Sequence, residues 1–206
     1  CQPRQIIEKA LFSTRYAGSV GFYAAMLHYG TVSFDSAEHY GKKNKMVNRT
    51  DIIGPNGVQT LSVPLVKNGA KTVSDLVISE HGNWRHNHWG ALYSAYGRTP
   101  FFEFFADDLK AVILDVSLTN LFDFNIKLHS AIVDFLDLPI ITEHFSAEND
   151  YVGYCRFDGV DEDIRKYYQI WNDKFGFTPN LSILDLLFNE GREAIFTLRK
   201  SFIPRK

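Results

Sequence analysis

The chain has 206 residues and a mass of 23.6 kDa, enough for one sizeable apolar core and a single domain over residues 1–206. With 45% hydrophobic and 22% charged residues it has a globular composition, which excludes a disordered chain. A net charge of -2 and a pI near 6.4 supply no broad positive field for nucleic acid, and no apolar run reaches the roughly 18 residues of a membrane span.

In chain order, Ile6 to Ser13 predicts a first strand, Ser19 to His28 carries Val20, Tyr23, Ala24 and Leu27 at helical spacing, and Thr31 to Phe34 predicts a second strand. Asp51 to Gly54 and Val58 to Val66, joined by Pro55-Asn56-Gly57, form a hairpin signal, because Asn-Gly supplies the positive φ of a tight turn. Asp75 to Ser79 predicts a further strand. A helix follows from Asn83 to about Tyr96, stopped by Gly97 and Pro100, and then one carrying Phe101, Phe104, Phe105 and Leu109. Thr119 to Leu136 predicts a longer helix with Leu121, Phe124, Leu128, Ile132 and Phe135 on one stripe. Pro139 ends it, Ile140 to Thr142 is β-prone, and the acidic stretch Glu148 to Asp163 reads as a loop. Together these elements predict an α+β fold: a strand–helix–strand unit and a hairpin forming a mixed sheet, followed by a mainly helical half. The alternative is a three-layer α/β arrangement. Phe22, Val63, Leu92, Phe104, Leu128, Ile183 and Leu187 are the expected core positions.

Several groups of residues carry possible chemistry. On the helix from Asn83, Trp84, His88, Ala91, Leu92 and Ala95 share a face, beside an aromatic strip of Trp89, Tyr93 and Tyr96. An imidazole on such a face is either a hydrogen-bonded core group or a general base. His81, His86 and His88 are poorly spaced for zinc, and no metal is expected. Lys42, Lys43, Lys45 and Arg49 concentrate four cations in a few residues next to Asn48, so a phosphate-bearing ligand is the natural partner. Asp35, Glu38 and His39 follow the second strand, where sheets often open a crevice. Near the C-terminus Pro179 precedes a short helix that Asn180 or Ser182 caps, with Asp185 in its first turn, Asn189 further along and Gly191 at its exit. Ser182 and Asp185 are therefore site candidates. The aromatic fraction of 15% is high enough for rings to line a pocket as well as a core.

No Gly-x-Gly-x-x-Gly, phosphate-loop, Gly-x-Ser-x-Gly or His-Glu-x-x-His motif is present, so no cofactor is expected. Cys1 and Cys155 are too few for a disulfide framework and are expected to be reduced. The residues after Cys1 lack the apolar segment of a signal peptide, so the expected location is cytoplasmic.

The blocks Tyr16 to Phe22, Asn48-Arg49, Leu61 to Pro64, Trp84 with His88, Ala95-Tyr96, Pro100 to Glu103 and Pro179 to Gly191 together resemble the WbqC-like family. That family often has a Gln-Pro-Asn-Tyr element followed by Leu-Pro before the first helix. This chain has Thr14-Arg15-Tyr16-Ala17-Gly18 there, keeping Tyr16 but not the amide or prolines. The resemblance implies a bacterial protein linked to O-antigen or capsule assembly. It points to a transferase acting on an activated amino sugar, or to a non-catalytic carbohydrate-binding or scaffolding protein of the same pathway. Apart from the resemblance, the opening strand–helix–strand gives a third reading, a nucleotidyltransferase-like core, against which the missing phosphate-loop signature counts. In the transferase reading Arg49, Asn48 and the lysines hold phosphate, Trp84 and Tyr96 pack against a sugar, and His88 or Asp185 moves the proton. Tyr16, Ser182 and Asn189 complete the binding set. That reading requires Arg49, His88 and Asp185 to line one hollow.

Overall fold

Parallel pairing of short apolar strands sets the first layer. The structure, a computed structural model, describes residues 9–145 and 164–202. Cys1, Cys155 and the acidic stretch from Glu148 to Asp163 lie outside the described residues, as do positions 6–8 of the predicted first strand.

β1 (Lys9–Phe12) and β2 (Thr31–Phe34) run parallel, joined by α1 (Val20–Tyr29), and β5 (Ile141–Glu143) pairs parallel to the other side of β2. Parallel neighbours need a crossover, and the apolar run of α1 supplies the first one. Ser19 caps α1 by accepting from the Phe22 amide, and Gly30 ends it at φ 77. β3 (Arg49–Gly54) and β4 (Gly57–Ser62) form the expected hairpin in register Arg49↔Ser62 through Gly54↔Gly57. It turns at Pro55-Asn56, with Gly57 at φ 103. The hairpin stays a sheet of its own and does not extend the parallel one. The class is α+β, with one parallel and one antiparallel sheet.

The predicted strand over Asp75 to Ser79 is absent. Val73–Asp75 form a 3-10 turn, and Val77 and Ile78 make only single bridges, to Asn120 and Leu65. Four helices then pack in sequence: α2 (Trp84–Tyr96), α3 (Phe102–Ile113), α4 (Leu121–Leu136) and, later, α6 (Ile183–Glu190). A single turn, α5 (Asn172–Phe175), precedes α6, and α7 (Ala194–Arg199) follows it against α1.

α4 buries Leu121, Phe124, Leu128, Ile132 and Leu136, and Asn120 caps it by accepting from the Asp123 amide. α3 departs from the predicted stripe. It turns Phe102, Leu109, Val112 and Ile113 inward, which places Phe104 on the outer face at 74% exposure. The other six expected core residues are buried. One apolar cluster runs from Ala10 to Leu198, so both sheets and the helices share an interior. No helix among the described residues is long and apolar enough to cross a membrane.

Candidate functional site

β3 is the spine along which the predicted site residues are arranged. Its register sets Arg49 opposite Ser62, so their side chains share the outer face of the hairpin. Arg49 is exposed, as are Lys42, Lys43 and Lys45 just before it, and no hydrogen bond or ion pair engages the Arg49 guanidinium among the described residues. Asn48 is buried. Its side-chain nitrogen donates to the Val63 carbonyl at 2.9 Å, while its own carbonyl accepts from the Val63 amide, closing the open end of the hairpin.

Inside the hairpin lies His88. Its ring stacks on Tyr16, with centroids 5.6 Å apart, and meets the edge of Trp84 at 5.0 Å. The Tyr16 hydroxyl sits 2.9 Å from His88 Nδ1, and the Ser62 backbone hydrogen bonds the same imidazole. Tyr16 is fully buried and burial pushes its ionisation well above the usual phenol range, so the hydroxyl keeps its proton and donates it to Nδ1. The remaining ring nitrogen then carries hydrogen and donates to the Ser62 carbonyl. Burial lowers the pKa of His88 to about 4, and the Ser62 bond opposes that only in part. At neutral pH the imidazole is uncharged with both nitrogens engaged. Trp84 is buried and its Nε1 has no hydrogen-bond partner among the described residues.

The second group surrounds Asp185. Ser182 caps α6, accepting from the Leu184 amide and donating to the Ala17 carbonyl at 3.0 Å; Thr50 donates to the same carbonyl, also at 3.0 Å. These bonds, with the Ser182 amide donating to the Asp51 carbonyl, tie the loop before α1, β3 and α6 together. Asp185 is sealed from solvent. Its Oδ2 accepts from the Tyr167 hydroxyl at 2.6 Å and from Gln169 Nε2 at 2.9 Å. Oδ1 has no partner at hydrogen-bond distance among the described residues, although the Tyr96 hydroxyl steadies the carboxylate electrostatically. Burial raises the Asp185 pKa, opposed by Tyr167, Tyr96 and Gln169. Tyr96 is buried and accepts from the Ile53 amide at 3.3 Å. Asn189 clamps the chain locally, accepting from the Ile170 amide and donating to the Asp185 carbonyl.

The structure thus sets Arg49 and His88 on opposite faces of the hairpin at Ser62, with Arg49 exposed and His88 buried; Ser182 lies beside Thr50 and Asp51 in the middle of β3, and Tyr96 meets Ile53 further along. Arg49, His88 and Asp185 line none of four surface cavities defined by the fold. Three of those cavities have the size of ligand sites, and two of the three adjoin elements described above. One, of about 430 Å³, lies beside Ala95 and is lined by Tyr93, Ser94, Arg98 and Trp171; the Trp171 ring is held by its Nε1 donating to the Ala95 carbonyl at 2.9 Å. The other, of about 540 Å³, opens at the ends of β2 and β5.

Sequence reasoning missed Arg85, which is buried on α2. Its fork grips Glu80, Nη1 and Nη2 donate to the Ile113 and Leu118 carbonyls, and its plane lies 4.6 Å from the Trp84 ring. It fixes the face of α2 that carries His88. The signal was an Arg beside a Trp on an apolar helix face. Sequence reasoning also missed His129, and neither Tyr93 nor Trp171 was singled out as a ligand wall. No group of three His, Cys, Asp or Glu residues among those described is placed to hold a metal ion.

Residues 15–151 match the sequence profile of the WbqC-like protein family. The chain is also 29% identical to a Mycobacterium tuberculosis (strain ATCC 25618 / H37Rv) protein described as "Uncharacterized protein Rv1507c", over 74% of this chain and 80% of that protein. No solved structure matches it.

Proposed function

The chain belongs to the WbqC-like protein family, and from that premise we propose that it is a cytoplasmic, single-domain protein of bacterial O-antigen or capsule assembly, a transferase acting on an activated amino sugar. The observation that carries the reading is Arg49: an exposed guanidinium with no internal partner among the described residues, ahead of which stand three exposed lysines. A planar fork free of internal bonds suits the paired oxygens of a phosphate. The neutral His88 imidazole lies on the buried side of the hairpin, held by the backbone of Ser62, the residue paired with Arg49, and in this reading it takes the proton once Tyr16 releases Nδ1. Asp185 holds Tyr96, Tyr167 and Gln169 in place behind the hairpin.

A thermal-shift series with uridine diphosphate hexosamines, followed by mass spectrometry of the products, tests the reading. Arg49→Ala removes the thermal protection, and His88→Gln keeps protection but loses product. Protection and product unchanged in both variants overturn it.

A second reading, a non-catalytic carbohydrate-binding protein of the same pathway, is favoured by the engagement of both His88 nitrogens and by the cavity between Tyr93 and Trp171. Aromatic walls beside the Arg98 guanidinium suit a sugar face and its hydroxyls. Protection by free saccharide, with no product from any activated donor, selects this reading over the first.

A further inference from the structure

The cavity of about 540 Å³ occupies the place where open parallel sheets accept ligands, outside the carboxyl ends of adjacent strands. Phe34 and Ser36 come from the end of β2, and Thr142, Glu143 and His144 from the end of β5. Asp123, Ile126, Lys127 and Ser130 lie at helical spacing on one face of α4 and form the opposite wall.

Behind that wall runs a chain of hydrogen bonds that the Arg49 site does not use. The Tyr23 hydroxyl lies 3.0 Å from His129 Nδ1, and His129 Nε2 lies 3.1 Å from the Thr142 hydroxyl. Tyr23 is fully buried, so its proton needs an acceptor, and His129 Nδ1 is the one the geometry supplies. The Nε2 hydrogen is then donated to Thr142 Oγ1, which leaves the threonine hydroxyl proton free to donate into the cavity. The buried imidazole therefore fixes the direction in which an exposed side chain offers its hydrogen bond.

Charge decides the ligand class. Lys127 is held by Asp115 at 3.1 Å and Glu143 by Lys9 at 2.8 Å, so both are already neutralised. The Asp123 carboxylate has no hydrogen bond or ion pair among the described residues, and it biases the cavity against phosphate. Phe34 and Phe122 supply apolar surface, and Ser36, Ser130 and Thr142 supply hydroxyls. Apolar faces, several neutral hydrogen-bonding groups and one free carboxylate together match a polyhydroxylated ring that bears an ammonium group. The geometry points to this strand-end cavity as a binding site for an unphosphorylated amino sugar, held by the Thr142 hydroxyl and the Asp123 carboxylate. In the transferase reading it takes the acceptor. The assignment itself stands without that reading, because it uses none of the Arg49 residues.

The test is an NMR titration of the full chain with glucosamine, glucose and glucosamine 6-phosphate, following the Thr142 methyl and Ser130 amide signals. Glucosamine shifts both and saturates at millimolar concentration, glucose binds more weakly, and the 6-phosphate binds weakest. Thr142→Val and Asp123→Asn each weaken glucosamine by about tenfold or more, whereas Arg49→Ala leaves its affinity unchanged. Asp123 is exposed, so Asp123→Asn keeps the test decisive if Thr142→Val disturbs β5. The proposal is overturned if glucosamine gives no saturable shifts, if it perturbs Trp171 and Arg98 instead, or if its affinity survives both substitutions. Loss of sugar-nucleotide binding in Arg49→Ala, with glucosamine binding intact, separates failure of one site from failure of the other.

Discussion

Two buried imidazoles make the stability of this protein depend steeply on pH. Burial lowers the pKa values of His88 and His129 from 6.5 to about 4, and each ring accepts a hydrogen bond from a buried tyrosine. A histidine that is harder to protonate when folded stabilises the native state above its unfolded pKa. That stability is lost as pH falls from about 6.5 toward 4. At 1.36 kcal/mol per pKa unit, each ring carries about 3 kcal/mol of this term, and together they give a slope of about 2.7 kcal/mol per pH unit inside the window. Asp185 acts in the opposite sense. Its folded pKa is raised, so its contribution is fully present below the ordinary carboxylate value and is lost as pH rises through the folded value. Where the windows overlap, Asp185 offsets part of the histidine slope. Urea unfolding at pH 7.5, 6.5, 5.5 and 5 reads the result directly. The wild type loses stability on acidification by a large fraction of the 5–15 kcal/mol typical of a domain, His129→Gln roughly halves the slope, and Asp185→Asn steepens it. A flat profile between pH 7 and 5, or a slope that His129→Gln leaves unchanged, refutes the assignment of neutral buried imidazoles.

The remaining predictions probe packing and the surface. Arg85→Ala strips two buried carbonyls of their donor and uncovers Trp84, lowering stability by about 2–4 kcal/mol in urea titrations. At Gly191→Ala the new Cβ meets Phe101 Cδ1 at 2.7 Å from a backbone at φ 57, and the expected loss is about 2 kcal/mol by the same assay. Phe104→Ser changes stability by no more than about 0.5 kcal/mol, because that ring is on the outer face of α3.

Much of the fold was legible wherever local pattern and tertiary burial agree. The Leu121, Phe124, Leu128 and Ile132 stripe of α4, the Pro55-Asn56-Gly57 corner and the Ser182 and Gly191 caps of α6 are written in residue type and spacing. Phe104 misled because four apolar residues in five positions, Phe101 to Phe105, do not say which of them faces inward. The packing of Phe102 between Trp89 and Phe188 settles it. Asp75 to Ser79 has β-prone residues but only single-bridge neighbours, and strand formation needs a partner that local sequence does not reveal. The polar residues of the C-terminal motif were recognisable as unusual. Their engagement with Ala17, Asp51, Tyr167 and Ile170 depends on contacts far away in the chain. Asp35, Glu38 and His39, the residues expected at a crevice after β2, do not line the strand-end cavity, to which that segment contributes Phe34 and Ser36. Its other wall comes from α4 and β5, more than 80 residues later.

The central claim is that Arg49 grips the phosphate of an activated sugar. Calorimetric titration of a uridine diphosphate hexosamine into wild type, Arg49→Lys and Arg49→Ala tests it most directly. The account predicts tight binding that weakens stepwise, first with loss of the planar fork and then with loss of the charge, by about tenfold or more overall. Equal affinity in all three proteins contradicts it.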